Sequence, residues 1–464
     1  MKRKRVRTLV SLAALLAVLY GLPAALLTFQ ARRTGTTLWD LLQRTVRASH
    51  EPATRVPTPR STSLAFVSPT ALGDPFEAAP VISHVNAVDL DRDGLLDVIA
   101  CDAQGNKVIW LRQYPPGRFT ELQMGSMVRA PAHVEAVDMD GDGDLDLLVA
   151  SMGILIPSND RIGAVIVLEN DGHCNFRNRV LIDRIARVTD VQAGDLDGDG
   201  DLDLAVGQFG YDDGEIRWMQ NQGNWQFESH MLLKRSGAIH TPIVDMNGDG
   251  LPDIVALVSQ EWEEIYVFEN LGRGRFRTRL IFKSDNEDFG SSGISIADLD
   301  GDGRPDVLYT NGDAFDYIPP SPRPWHGVHW LQNKGSLKFE YHHIADFPGA
   351  YSARALDVDG DGDLDVFAVS AFNDWDSPDA ASFMWYENDG RMNFTPHMLA
   401  VSPTHLVTMA LGDFDGDGRV DFVTGGVYLW VPVDYARAGR VTLWHNNWPG
   451  AGQSRREATA QPGP

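Results

Sequence analysis

Seven copies of one acidic ladder run through this chain: Asp, any residue, Asp or Asn, any residue, Asp, Gly, two residues, Asp. They read DLDRDGLLD from Asp89, DMDGDGDLD from Asp138, DLDGDGDLD from Asp195, DMNGDGLPD from Asp245, DLDGDGRPD from Asp298, DVDGDGDLD from Asp357 and DFDGDGRVD from Asp413. The starts advance from 89 to 413, so six intervals cover 324 residues and average 54. One such loop constrains little. Seven at near-regular spacing, with strand patterns on both sides, require a repeat of short strands that stacks on its neighbours. The spacing predicts an all-β, seven-bladed β-propeller of four-stranded blades.

The third repeat shows the unit. Val191 to Gly194 alternates into the ladder, and LDLAVG (Leu202 to Gly207) gives an apolar buried strand. EIRWMQN (Glu215 to Asn221) is a period-two strand; the turn NQGNW comes next, and Gln226 to Leu232 forms the outer strand. The third strand recurs as VIWLRQ, VIVLEN, IYVFEN, VHWLQN, FMWYEN and VTLWHN. Trp110, Val167, Trp218, Val267, Trp330, Trp385 and Leu443 hold its core position and are expected to pack between blades. After the seventh ladder the pattern supplies no fourth strand. SLAFVSPT at 63–70 resembles HMLAVSPT at 397–404, the outer strand of the sixth repeat. The N-terminal segment should therefore complete blade 7 and close the ring.

Positions 1, 3, 5 and 9 of the ladder place four oxygen-bearing side chains where a sharp turn at Gly in position 6 lets them converge. They are Asp89, Asp91, Asp93 and Asp97; Asp138, Asp140, Asp142 and Asp146; Asp195, Asp197, Asp199 and Asp203; and Asp245, Asn247, Asp249 and Asp253. The last three sets are Asp298, Asp300, Asp302 and Asp306; Asp357, Asp359, Asp361 and Asp365; and Asp413, Asp415, Asp417 and Asp421. Hard oxygen donors in a flexible cage suit Ca2+, up to seven ions, and the loop with Asn247 should bind least tightly. An EF-hand would need Glu at position 12 and flanking helices; Ala100 and Val149 stand there instead, between strands. A metal-free Asx-turn hairpin is the alternative, and it does not account for Asp at position 9 in every copy.

The array resembles the FG-GAP/VCBS repeat family, which includes the integrin alpha-subunit propeller and fungal seven-bladed lectins. The resemblance covers residues from about 61 to 448 and rests on the D-x-[DN]-x-D-G-x-x-D signature. It implies calcium on the face bearing the first-to-second-strand loops. The second strands end as LLVASMG, LAVGQFG or VFAVSAF, without the Gly-Ala-Pro of the integrin version, so an integrin-like partner is not implied.

The net charge of -24 has the same origin: 27 of the 28 ladder positions are Asp. Seven divalent cations would add 14 positive charges and leave about -10, a balance that argues against nucleic acid as a partner. Only Cys101 and Cys174 occur, so a disulfide framework is excluded and both are expected as buried or free thiols. Lys2, Arg3, Lys4, Arg5 and Arg7 precede an apolar run from Leu9 to Phe29. At about 20 residues it reads as an uncleaved membrane anchor over 1–30, or as a signal peptide; either exports the repeats to the extracytoplasmic side, membrane-anchored or secreted. Residues 31–60 read as a linker, 61–450 as the propeller and 451–464 as a disordered tail.

Opposite the ladders, three consecutive second-to-third-strand loops are long: NGDAFDYIPPSPRPWHG, AFNDWDSPDAAS and GVYLWVPVDYARAG. They bring Trp325, Trp375, Tyr428 and Trp430, with Phe315, Tyr317, Phe372 and Tyr435, to the rim of blades 5–7. Such a surface suits a glycan or protein ligand, unless the loops pack on one another as a cap. His84, His133, His240 and His405 precede first strands and could meet at the axis as a metal or acid–base group. Two functions are compatible with these features: a calcium-stabilised binding or adhesion module acting through the rim, or a carbohydrate-active enzyme of the polysaccharide lyase or sugar dehydratase type at the axis. No Ser/His/Asp elbow, phosphate loop or zinc motif is present, which favours the first.

Overall fold

The computed structural model describes residues 66–448 apart from 77, 211, 318–319 and 430–436. The anchor or signal segment, the linker, the tail and Trp430 lie outside the described residues. Among the described residues no helix is long and apolar enough to cross a membrane.

Seven antiparallel sheets form the seven blades. Blade 1 runs Ile82–Val88, Asp97–Asp102, Lys107–Gln113 and Phe119–Met124, and blades 2, 3, 5 and 6 repeat that meander. Blade 4 departs in its first strand, which is broken into Ala238–His240 and Ile243–Val244. Pro242 sits at the break, where its missing N–H cannot join the ladder. Blade 7 takes Leu406–Gly412, Asp421–Gly426 and Val441–Asn446 from the C-terminal end and Val67–Leu72 from the N-terminal end. Val67 pairs with Asn446 and Leu72 with Val441, so the closing strand comes from the segment the sequence pattern assigns to it. Arg440 on blade 7 adds an ion pair to Asp102 of blade 1 at 3.1 Å and another to Glu121.

The second strands are buried along their whole length, because each lies between two neighbouring blades. Outer strands such as Phe227–Lys234 alternate between half-buried and exposed residues, as a sheet edge with one wet face does. The third-strand core residues from Trp110 to Leu443 are all buried and pack between blades. Cys101 is buried, and neither cysteine forms a disulfide.

Candidate functional site

Each acidic ladder joins the end of a first strand to the start of a second. Gly at position 6 adopts a left-handed backbone, with φ from +85° at Gly250 to +98° at Gly143 and Gly362. Nothing lies near an added Cβ there, so the constraint is conformational and not steric. The turn aims its N–H at the first carboxylate: Gly94 donates to Asp89 Oδ2 at 2.9 Å, and Gly200 to Asp195 Oδ2 at 3.1 Å. Carboxylate oxygens of Asp138, Asp140 and Asp142, and of Asp195, Asp197 and Asp199, lie within 4.8 Å of one another; Asp298, Asp300 and Asp302 do the same. In loop 1 the set is Asp89, Asp91 and Asp97. Asp91 Oδ1 and Asp144 Oδ1 are buried carboxylate oxygens with no hydrogen-bond partner. In loop 7 the set is Asp415, Asp421 and His445; the other sets named are all-oxygen, and with unpartnered anionic atoms they fit a hard divalent cation.

Position 9 has a second duty that the sequence pattern alone does not disclose. Asp203 is fully buried, and its oxygens accept N–H groups from Leu196 at 3.2 Å and Asn221 at 2.7 Å. Asp97, Asp146, Asp253, Asp306 and Asp421 make the same pair of contacts, from ladder position 2 and from the last residue of the third strand. The recurrence of Asp at position 9 thus has a structural cause that needs no ion, which the metal-free hairpin reading of the sequence did not foresee. That last third-strand residue completes the clamp. Asn170, Asn221, Asn270, Asn333, Asn388 and Asn446 each donate a side-chain N–H to the carbonyl at ladder position 8, and Gln113 does so in blade 1. The recurring Asn at the end of the third strand was the sequence signal for this role.

At the axis, the innermost strands of successive blades pack on one another in a ring. Six of them carry a register shift immediately before the residue five positions ahead of the ladder. Such a bulge re-aims a side chain. The residues at this level are His84, His133, Asp190, His240, Gly293, Ser352 and Thr408. The His84 and His133 rings lie 4.1 Å apart, and His133 Nδ1 is 3.1 Å from Asp190 Oδ1. Several ring residues also stitch neighbouring blades. Val134 N–H donates to His84 Nδ1 at 3.4 Å, Thr241 N–H to Asp190 Oδ2 at 2.6 Å, and Val85 N–H to Thr408 Oγ1 at 3.3 Å. Burial, reinforced by His133, holds His84 well below the usual imidazole range. Two residues further along, burial pushes the Glu135 carboxyl up to about 7 and the Arg354 guanidinium down to about 10.

His405 is not in this group. It stands eight residues before Asp413, not five, and its ring lies 5.2 Å from Trp375 and 4.9 Å from Tyr428. The long loops of blades 5–7 themselves form a cap. Ala314, Ala371, Phe372 and Val427 join Val81 and Ala103 of blade 1 in one buried cluster, with Phe315 and Tyr317 packed against it. Tyr428 is buried, donating to Thr404 O at 2.7 Å and accepting Gly439 N–H at 2.8 Å. Of the described rim aromatics, Trp325 is 38% exposed, Phe315, Tyr317 and Trp375 are partly exposed, and the Trp375 indole N–H has no partner.

A model of the FG-GAP-like repeat family matches residues 64–149, 245–309 and 357–424, taking in six of the seven ladders. The chain is a seven-bladed propeller of FG-GAP-like repeats. Two solved structures share the fold: BBS1N in complex with ARL6DN soaked with mercury, at TM-score 0.51 and 11% identity, and the same complex soaked with lead, at 0.50 and 10%. Each alignment covers 80% of this chain and 94% of the other. Among curated proteins none matches the chain. At such identities the likeness concerns fold alone.

The seven loops of this FG-GAP propeller are not equivalent. Arg112 lies 2.6 Å from Asp91 in loop 1, and Arg304 and Arg419 pair with Asp302 and Asp417 in loops 5 and 7. Loops 2, 3 and 6 instead carry an additional acid at position 7, Asp144, Asp201 and Asp363. The built-in guanidinium groups offset charge that a cation would otherwise meet.

Proposed function

We propose that this FG-GAP propeller is a calcium-stiffened binding module, exported and held at a membrane or secreted, that presents the rim of blades 5–7 to a glycan or protein. The convergence of loop carboxylates carries the calcium part of the reading. The basic and apolar N-terminal sequence supports export and a membrane tether. Loops 2, 3 and 6 would fill first, and loops 1, 4, 5 and 7 later. Trp325 and Trp375 are the ligand-facing candidates, with His405 and Tyr428 buttressing the second. Trp325→Ala and Trp375→Ala should each reduce binding on a glycan array at least tenfold while leaving the melting temperature within a few degrees of wild type. Unchanged binding in both variants would remove the rim from the account.

Calcium affinity should depend on pH in a set direction. Burial pushes the carboxyls of Asp97, Asp146, Asp203, Asp253 and Asp306 up to about 6, and that of Asp365 to about 7. Without metal, the folded chain holds these protons more tightly than the unfolded one, so stability falls as pH rises between about 4 and 7. A cation needs the deprotonated form, so calcium binding releases protons and tightens over the same window. Calorimetric titration of dialysed protein should show affinity rising from about pH 5 to about pH 8. A flat profile would contradict the role given to position 9.

A second reading, an enzyme of the lyase or dehydratase type, draws on the His84–His133–Asp190 contact and the raised pKa of Glu135. Asp190 would orient His133 through Nδ1, and Nε2, which lies 3.2 Å from the Gln192 amide nitrogen, would exchange a proton once substrate displaced that amide. On this reading wild type yields unsaturated sugars from an acidic polysaccharide and His133→Ala does not. Absence of turnover in wild type across a polysaccharide panel would dismiss it.

A further inference from the structure

On blade 5, away from both the ladders and the axis, three side chains converge. His329 from Gly327–Asn333 lies directly opposite His343 from Phe339–Asp346 in the strand pairing, and Tyr341 is two residues along the same face. His329 Nδ1 is 3.2 Å from His343 Nδ1 and 2.8 Å from Tyr341 Oη. The two imidazole centroids are 5.2 Å apart with the planes inclined by 42°.

The far nitrogen of each ring fixes the proton. His329 Nε2 lies 2.8 Å from Asn311 Oδ1. Three further contacts orient that amide: its Nδ2 donates to Phe289 O at 3.2 Å and Trp325 O at 2.9 Å, and its oxygen also accepts Gly327 N–H at 2.7 Å. An oxygen can only accept here, so Nε2 of His329 carries the hydrogen and Nδ1 is a lone pair. His343 Nε2 lies 3.0 Å from Asp346 Oδ1, which by the same logic leaves His343 Nδ1 bare in the neutral ring. Two lone pairs thus face one another at 3.2 Å. The Tyr341 hydroxyl has one hydrogen and satisfies only His329. His329 is 1% exposed, and burial disfavours an imidazolium on that ring, so a proton bridging the pair would have to come from the exposed His343.

We propose that His329 Nδ1, His343 Nδ1 and Tyr341 Oη bind a zinc-type transition-metal ion, with water completing the coordination. Tetrahedral zinc with nitrogen at about 2.0–2.1 Å places two ligand nitrogens about 3.3 Å apart, close to the spacing found. Asn311 and Asp346 then stand behind the ligands as the hydrogen-bond partners that orient metal-bound imidazoles. Two nitrogen donors separate this site chemically from the carboxylate ladders, although His445 joins Asp415 and Asp421 at loop 7. Because Asn311 also holds the Trp325 carbonyl, the ion would stiffen the base of the blade 5 rim loop.

The test is a zinc titration of the full chain in saturating calcium, followed by calorimetry, with cobalt as a spectroscopic stand-in. About one equivalent should bind, with tetrahedral cobalt absorption. His343→Ala, at an exposed position, should weaken zinc binding more than tenfold; Asp346→Asn, which keeps all three ligands, should weaken it about tenfold. Both variants should keep the wild-type zinc-free melting temperature and calcium uptake. No zinc uptake by wild type, equal affinity in His343→Ala, or a single proton shared by the two rings in nitrogen-15 spectra of zinc-treated protein would overturn the assignment.

Discussion

Asp203→Ala should destabilise the propeller by about 3 kcal/mol even in metal-free buffer, whereas Asp199→Ala, four residues away in the same loop, should cost less than about 0.5 kcal/mol there. The difference lies in what each carboxylate holds. Asp203 is fully buried and accepts the Leu196 and Asn221 N–H groups, so its removal leaves two buried donors unpaired at about 1–3 kcal/mol each. A partial offset comes from relief of the burial penalty that raises its pKa to about 6. Asp199 is exposed and accepts one local bond, from Asp201 N–H at 2.9 Å. In calcium the order of damage should narrow, because Asp199→Ala also removes a ligand from one of the most anionic loops. Urea unfolding of both variants, with and without calcium, reads the four values. Equal destabilisation in metal-free buffer would show that position 9 is not the clamp described.

Chelating calcium from the wild-type chain should lower the melting temperature by about 10 °C or more. Each ion bound only by the folded state adds about 2.7 kcal/mol at a free concentration one hundred times its dissociation constant, and three or more tight loops act together on one closed ring. Closure matters to the size of this effect. Blade 7 depends on the pairing of Val67–Leu72 with Val441–Asn446, so a loosened loop anywhere weakens a structure with no independent blade. An unchanged melt with EGTA would separate the ladders from any ion.

Much of this architecture was legible because the repeat carries it. Blade number came from counting ladders, and the closing strand from the likeness of SLAFVSPT to HMLAVSPT. The clamp was visible as a pattern, Asp at position 9 and Asn at the third-strand end, but not as an interaction, since the two meet only across paired strands. The axis was half legible. His84, His133 and His240 share one offset from their ladders, while His405 does not; the bulges that aim that level inward leave no signature in composition. The sequence leaves the rim open between ligand surface and cap; Phe372 and Tyr428 are buried, because loops long enough to cross the ring's end pack their aromatic residues on one another. The meeting of His329 with His343 needed the strand register, which spacing alone does not supply.

Calcium titration of the dialysed full chain by calorimetry, repeated on Asp142→Ala, Asp199→Ala and Asp361→Ala, tests the central claim most directly. The account predicts a tight class of about three ions assigned to loops 2, 3 and 6, each variant losing one of them, with weaker uptake elsewhere. Absence of calcium binding at millimolar concentration, or a stoichiometry untouched by all three substitutions, would contradict it.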